Sequence, residues 1–324
     1  MTLVLKGSDV RALLGLDECI AAVESAFRLH GEGAVPPPGV LGAQVPGGGF
    51  HVKTALLRGY FAAKVNGNFP ENPRQSGLPA IQGVIVLADA AQGRPLAVMD
   101  SIEITVLRTG AATAVAARHL ARPESRVATV CGCGLQGRIQ LRALARVLPL
   151  TRAFAWDVDA ARARAYAAEM SASLGIDVTP AGELGAAVAE SDVCVTCTPS
   201  RVPFLKAAFL RPGTFVAAVG ADSPDKQELE PAVLASSKVV VDVLEQCAAI
   251  GELHHALESG ALSRAGVRAE LGQVVAGRKA GRTSSMEIAV FDSTGTALQD
   301  AAAAALVYEK ALRAGAGTGI ALEA

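Results

Sequence analysis

The chain has 324 residues, a formal net charge of −1 and 51% hydrophobic residues, with aromatics at only 4%. That length has room for two domains of ordinary size, and an alanine-rich, aromatic-poor interior suits closely packed helices in an α/β protein. Interspersed acids and bases exclude a nucleic-acid footprint, and no run approaches the ~18 uninterrupted apolar residues of a membrane span, so a small molecule is the expected partner.

The start, Met1-Thr-Leu-Val-Leu-Lys-Gly-Ser-Asp9, lacks the basic n-region and apolar core of a secretory signal, and a cytoplasmic location is expected. Residues 17–31 place Ile20, Val23 and Phe27 on one helix face, with Asp17 as the expected N-cap and Val35-Pro-Pro-Pro38 beyond the end. Two β-rich segments follow, split by Pro46-Gly-Gly-Gly49. Residues 60–66 and 81–88 read as strands joined by a polar, proline-rich loop, and a strand from Leu96 to Asp100 leads into a small-residue helix over 101–121.

From Arg126 onward strand and helix alternate, with strands at 126–131, 152–157, 176–179, 192–197, 214–219 and 238–242. This alternation predicts a doubly wound parallel sheet with helices on both faces. A strand at 287–292 and a helix over 296–314 close the chain, the helix crossing back to the first domain. The expected division is therefore a substrate and dimerisation domain of α+β type from residues 1–120 and 296–324, and a Rossmann domain over residues 121–295.

The run Val127-Ala-Thr-Val-Cys-Gly132-Cys-Gly134-Leu135-Gln136-Gly137 is a strand entering a G-x-G-x-x-G loop, and a helix leaves it. Gly132 permits the tight turn, Gly134 lets backbone approach a pyrophosphate, and Gly137 lets the helix pack on the sheet. Asp157 ends the second strand about 20 residues further on, where an acid takes the adenosine ribose. Strand, glycines, helix, strand and acid together make a specific signal for a dinucleotide. A carboxylate there repels a 2′-phosphate and favours NAD, while Arg162 and Arg164 keep NADP as the alternative.

Two further strand ends carry chemistry. Thr196-Cys-Thr198-Pro199-Ser200 is a small polar loop suited to the nicotinamide ribose, and Val219-Gly220-Ala-Asp222-Ser-Pro places Asp222 in a constrained loop, where the competing reading is a turn aspartate. In the first region Lys64 stands in an apolar strand and Arg108 in the small-residue helix, and burial of either without a partner is costly. Together they suggest a carboxylate pocket. Of the six cysteines, Cys194-Val-Thr-Cys197 has redox spacing but lies in a strand that reads as buried, so inert thiols in a reducing compartment are expected. No H-E-x-x-H or paired C-x-x-C cluster is present, and the adjacent His254 and His255 are expected not to share a helix face; no metal is expected.

In combination these blocks resemble the ornithine cyclodeaminase/mu-crystallin family, which includes alanine dehydrogenases and ketimine or pyrroline-2-carboxylate reductases. The matching segments are Lys64-Val-Asn-Gly-Asn-Phe-Pro, Gly77-Leu-Pro79, Thr105-Val-Leu-Arg108-Thr109-Gly110, Cys131-Gly-Cys-Gly-Leu-Gln136, Gly220 to Leu229, Val241 to Gln246, Glu270 to Gly277 and Val290-Phe-Asp-Ser293-Thr-Gly295. The resemblance implies a homodimer. It implies Lys64 and Arg108 as carboxylate ligands, Asp222 as the group exchanging a proton with the amine or imine, and Lys64 near the reacting atoms. It assigns the cofactor to Gly132, Gly134, Leu135, Gln136, Gly137 and Asp157, with Thr109, Thr198, Pro199, Val219, Gly220 and Ser293 around it. Two departures stand out. The family's arginine after paired prolines is replaced by Pro38-Gly39, and its Met-Pro pair by the stretch that contains His51 and Lys53. His51 and Lys53 either restore the lost charge or select a different side chain, with an exposed polar β-edge as the competing reading.

The activity this implies is an NAD-dependent oxidoreductase of the C–N bond in an α-amino or cyclic α-imino acid, as a ketimine reductase or alanine-type dehydrogenase. Ornithine cyclodeamination is the alternative, ranked lower because a cation near His51 repels a terminal ammonium. A nucleotide-dependent ligand-binding protein without catalysis is the alternative of another class.

Overall fold

The structure is a computed structural model that describes residues 1–322; the last two residues of the expected first domain, 323 and 324, lie outside the described residues. In chain order the strands are β1 (Thr2–Leu5), β2 (Gly39–Val45), β3 (Gly48–Leu57), β4 (Tyr60–Asn68), β5 (Ile81–Asp89) and β6 (Pro95–Asp100). Then come β7 (Val127–Cys131), β8 (Arg152–Trp156), β9 (Asp177–Pro180), β10 (Val193–Thr196), β11 (Phe215–Ala218), β12 (Lys238–Val241), β13 (Ala269–Glu270), β14 (Ala289–Asp292) and β15 (Thr318–Ile320). The chain divides into two compact units, Met1–Arg108 with the segment from Thr296 onward, and Thr109–Gly295. The boundary falls inside the helix Ser101–Leu120, not past its end as the sequence suggested. Gly110 belongs to the second unit because its Cα lies so close to Ile139 that an added Cβ would come within 2.8 Å of that side chain.

The first unit is a seven-stranded sheet in the order β15-β1-β6-β5-β4-β3-β2. Its hairpins are antiparallel, and the tight turn between β3 and β4 places Arg58 and Gly59 at positive φ, as a two-residue hairpin requires. Alternation sorts the sheet's faces. Residues 53, 55 and 57 of β3, and 62 and 64 of β4, are buried under the helix Ala297–Ala314, on which the helix Leu16–Gly31 packs. The opposite face lines up Leu41, Val52, Val65 and Val84 in one register row, and Leu41, Val65 and Val84 are exposed. The helix Leu16–Gly31 begins at Gly15, so Asp17 is not its cap; it sits in the first turn, where its charge favours the helix dipole. β1, β15 and the short helix Gly7–Leu13 were not read from the sequence.

The second unit is an eight-stranded parallel sheet in the order β13-β12-β14-β11-β10-β7-β8-β9. The run β9-β8-β7-β10-β11-β14 is the doubly wound order, with its switch point between β7 and β10. β10, β11 and β14 are buried along their whole length, as a sheet covered on both faces demands.

Candidate functional site

In the first unit, strand register creates the chemistry. Lys53 of β3 stands directly opposite Lys64 of β4, and both are buried, at 8% and 4% exposure. Like charges facing each other across a strand pair repel, so the arrangement needs an anion. Asp300 supplies one from the first turn of the helix Ala297–Ala314: its Oδ2 lies 2.7 Å from Lys64 Nζ and its Oδ1 3.0 Å from Arg108 Nε. Arg108 also donates to Gln299 Oε1 at 2.7 Å. Two caps hold the frame. Thr296 accepts from Leu298 N–H at 3.0 Å ahead of Asp300, and Asp100 accepts from Ile102 and Glu103 N–H at 3.0 and 2.9 Å ahead of Arg108.

Burial pulls Lys64 down to about 7, with Arg108 and Lys53 adding to it against the attraction of Asp300. Burial alone would push Asp300 up, but Lys64 and Arg108 outweigh it and hold the carboxyl below its usual range. Lys64 and Arg108 thus share the carboxylate of Asp300, with Lys53 across the strand pair from Lys64. Lys53 is therefore no exposed β-edge residue; His51, two positions earlier on the same face, is half-buried. Asp300 was missed from the sequence, although it is the one charged residue between Thr296 and Glu309 and an isolated charge in an apolar helix needs a partner.

In the second unit, Gly132 has φ +103°, and a Cβ there would come within 2.9 Å of the Cys197 carbonyl. A Cβ on Gly137 would meet the Gly132 carbonyl at 2.1 Å, whereas nothing lies within 4 Å of the place where Gly134 would carry one. The helix Leu135–Ala145 then starts with no side-chain cap, which leaves its first N–H groups for an anion. Beside the loop is a cavity of about 350 Å³ whose walls include Gly132, Gly134, Asp157, Thr198 and Pro199. Trp156 and Phe204 also wall it, their rings 5.1 Å apart. Leu135, Gln136, Gly137, Val219, Gly220, Ser293 and Thr109 are not among its lining residues.

Asp157 accepts from Cys133 N–H at 2.9 Å and Asp159 N–H at 3.0 Å, and pairs with Arg162 at 3.3 Å. The acid is thus fixed by backbone at the mouth of the cavity, and the glycine loop fits a dinucleotide. Asp222, half-exposed, pairs with Lys226 Nζ at 2.6 Å. Ser293 is buried and donates to Asp242 at 3.2 Å. His254 and His255 do meet, edge to face at 5.1 Å, because successive side chains at the start of a short helix can turn toward each other; with Glu258 they bring three ligand atoms within 4.8 Å. His255 Nε2 is 2.8 Å from the Lys226 carbonyl.

Residues 1–315 match the model of the ornithine cyclodeaminase/mu-crystallin family. The chain belongs to that family. Among solved members of the ornithine cyclodeaminase/mu-crystallin family, an archaeal alanine dehydrogenase dimer with bound NAD superposes with a TM-score of 0.95 at 41% identity, covering 99% of each chain. The Thermococcus litoralis Δ1-pyrroline-2-carboxylate reductase, in complex with NADH and L-proline, gives 0.93 at 35% identity over 98% of this chain and 100% of that one. A lysine cyclodeaminase gives 0.88 at 34% identity over 99% and 96%. One family thus spans net oxidation, net reduction and cyclodeamination.

Proposed function

We propose that this protein is an NAD-dependent oxidoreductase that acts on the C–N bond of an α-amino or cyclic α-imino acid, as a ketimine or pyrroline-2-carboxylate reductase or an alanine-type dehydrogenase. The observation that carries the reading is the buried cluster of Lys64, Arg108 and Asp300, with Lys53 in register beside it. Lys64 and Arg108 share the one carboxylate of Asp300, and that leaves a positive field with low-dielectric walls, which a substrate carboxylate would complete. Gln299 Nε2 is buried with no acceptor among the described residues, and a carboxylate oxygen suits it.

Lys64 and Arg108 bind and orient the carboxylate, and Asp300 fixes both so that neither must reorganise on binding. Gly132, Gly134, Gly137 and Asp157 would hold NAD, which when bound would accept or supply the hydride. Asp222 exchanges the proton of the amine or imine, its half-exposed side chain giving contact with solvent and Lys226 fixing one oxygen. Asp157 favours NAD; Arg162, which already neutralises it in part, keeps NADP within reach.

The buried Lys53–Lys64 pair disfavours cyclodeamination, since a terminal ammonium would face two lysines. We also assign a homodimer in the cytoplasm. The exposed apolar row Leu41, Val65 and Val84 supports the first, and six cysteines that are all free thiols support the second.

The deciding experiment follows NADH consumption with pyrroline-2-carboxylate, piperideine-2-carboxylate, and pyruvate plus ammonia. Turnover of at least one is expected. Ammonia release from ornithine with no net NAD consumption would replace the reading by cyclodeamination, and NADH binding without turnover of any would favour a ligand-binding role. Asp222→Asn is expected to abolish turnover while NADH binding persists; full activity would remove Asp222 from the mechanism.

A further inference from the structure

Glu228 lies in the segment after β11 and is fully buried. Burial pushes its carboxyl up, opposed by two backbone donors. Its Oε1 accepts from Thr198 N–H at 2.6 Å and its Oε2 from Gly220 N–H at 3.0 Å. Its carbonyl accepts from Phe204 and Leu205 N–H at 2.9 and 3.0 Å, and its own N–H donates to Glu252 at 2.7 Å. Each backbone group of this residue is thus used.

Its partners are informative. Thr198 and Phe204 wall the cavity beside the glycine loop, and Gly220 starts the loop that reaches Asp222 two residues later. The contact with Gly220 leaves no room for a side chain, because a Cβ there would meet Glu228 Oε2 at 2.4 Å. Glu228 is itself held: Glu252 accepts the N–H groups of Glu228 and Leu229, and Asp292 accepts those of Glu252 and Leu253.

We propose that Glu228 is a positioning residue that sets the loops after β10 and β11 against each other, and through them places both the cofactor wall and the Asp222 loop. This rests on the oxidoreductase reading above. A carboxylate offers two oxygens at fixed spacing, one for each loop. Glutamine keeps the shape but turns an NH₂ toward an N–H donor, so one loop must let go.

The test compares Glu228→Gln with Asp192→Asn. Asp192 is another carboxylate that grips two backbone amides, those of Arg126 and Val127, at the amino ends of the strands. The readouts are NADH affinity by fluorescence without substrate, hydrogen exchange over residues 198–205 and 219–225, and kcat against KM. For Glu228→Gln the expected result is NADH binding weakened about tenfold or more, as one unsatisfied buried amide implies. Faster exchange in both segments and a fall in kcat larger than the change in KM should accompany it. Asp192→Asn should lower the melting midpoint and leave NADH affinity and the two segments unchanged. Unchanged affinity and exchange in Glu228→Gln would overturn the proposal, as would an equal loss of affinity in Asp192→Asn. If Glu228→Gln does not fold, Glu228→Asp, which keeps two oxygens on a shorter arm, carries the same expectation. A wild-type chain that fails to bind NADH overturns the functional reading and this inference together; a wild type that binds NADH but turns over none of the substrates overturns the reading alone.

Discussion

The two units bury charge in opposite ways. In the first, charged side chains face one another: Lys64 and Arg108 converge on Asp300 with Lys53 alongside, so two cations share one carboxylate. In the second, buried acids face backbone: Glu228, Glu252 and Asp292 each accept two N–H groups and hold loops, not ions. The difference teaches what each interior is for. A cluster with unbalanced charge is built to be completed by a ligand, whereas acids saturated by amides are built to keep a surface in place.

Breaking the first arrangement should cost most. Asp300→Ala leaves Lys64 and Arg108 buried without their anion, and a loss of about 3–5 kcal/mol is expected in urea unfolding, with activity lost. Replacement of Lys64, Arg108 and Asp300 together by apolar residues of like volume should cost less than the single change; a larger cost would show that the cluster is not limited by desolvation.

In the second unit Glu252→Gln removes one acceptor from a pair of amides without stranding an ion, so about 1–3 kcal/mol is expected by the same measurement. A loss equal to that of Asp300→Ala would erase the contrast.

A pH series sharpens it further. Lys64 must be protonated to hold a carboxylate, and its pKa lies at about 7, so kcat/KM should fall above that pH. Lys64→Arg should remove this limb, since a guanidinium keeps its proton. Stability runs the other way. The folded chain releases the Lys64 proton at about 7, against 10.5 for a lysine in water, so stability should rise with pH between those values. Below pH 7 the cost is fully present, and the rise should be missing in Lys64→Met. The smallest effect belongs to the cofactor mouth: Asp157→Ser removes the charge that repels a 2′-phosphate and leaves Arg162 to attract it, so the NADH-to-NADPH rate ratio should fall several-fold.

Where the sequence was legible, one residue type had one physical use. Gly132, Gly134 and Gly137 announce their backbone constraints, and alternating apolar runs announce a parallel sheet. Lys64 and Arg108 were visible because charge in an apolar run demands a reason. Asp300 obeys the same rule but sits about 190 residues from Arg108 (by the Arg108–Gln299 contact), and pairing at that distance is set by topology, not by local pattern. Glu228 was hidden for another reason. Its work is done on backbone amides, which every residue possesses, so no partner's identity betrays it. Trp156 and Phe204 pair only because the end of β8 and the segment after β10 are folded together.

The first unit is discontinuous, and the acid that Lys64 and Arg108 share comes from the helix Ala297–Ala314, about 190 residues after Arg108. A ribosome therefore finishes the lysine-bearing strands long before it delivers the carboxylate that makes their burial tolerable. During synthesis residues 109–295 emerge before the first unit can shut around its buried ammonium groups, which must wait for residue 300. Nascent chains stalled before position 300 should thus expose those lysines to modifying reagents, even when everything between them and the tunnel is already protected.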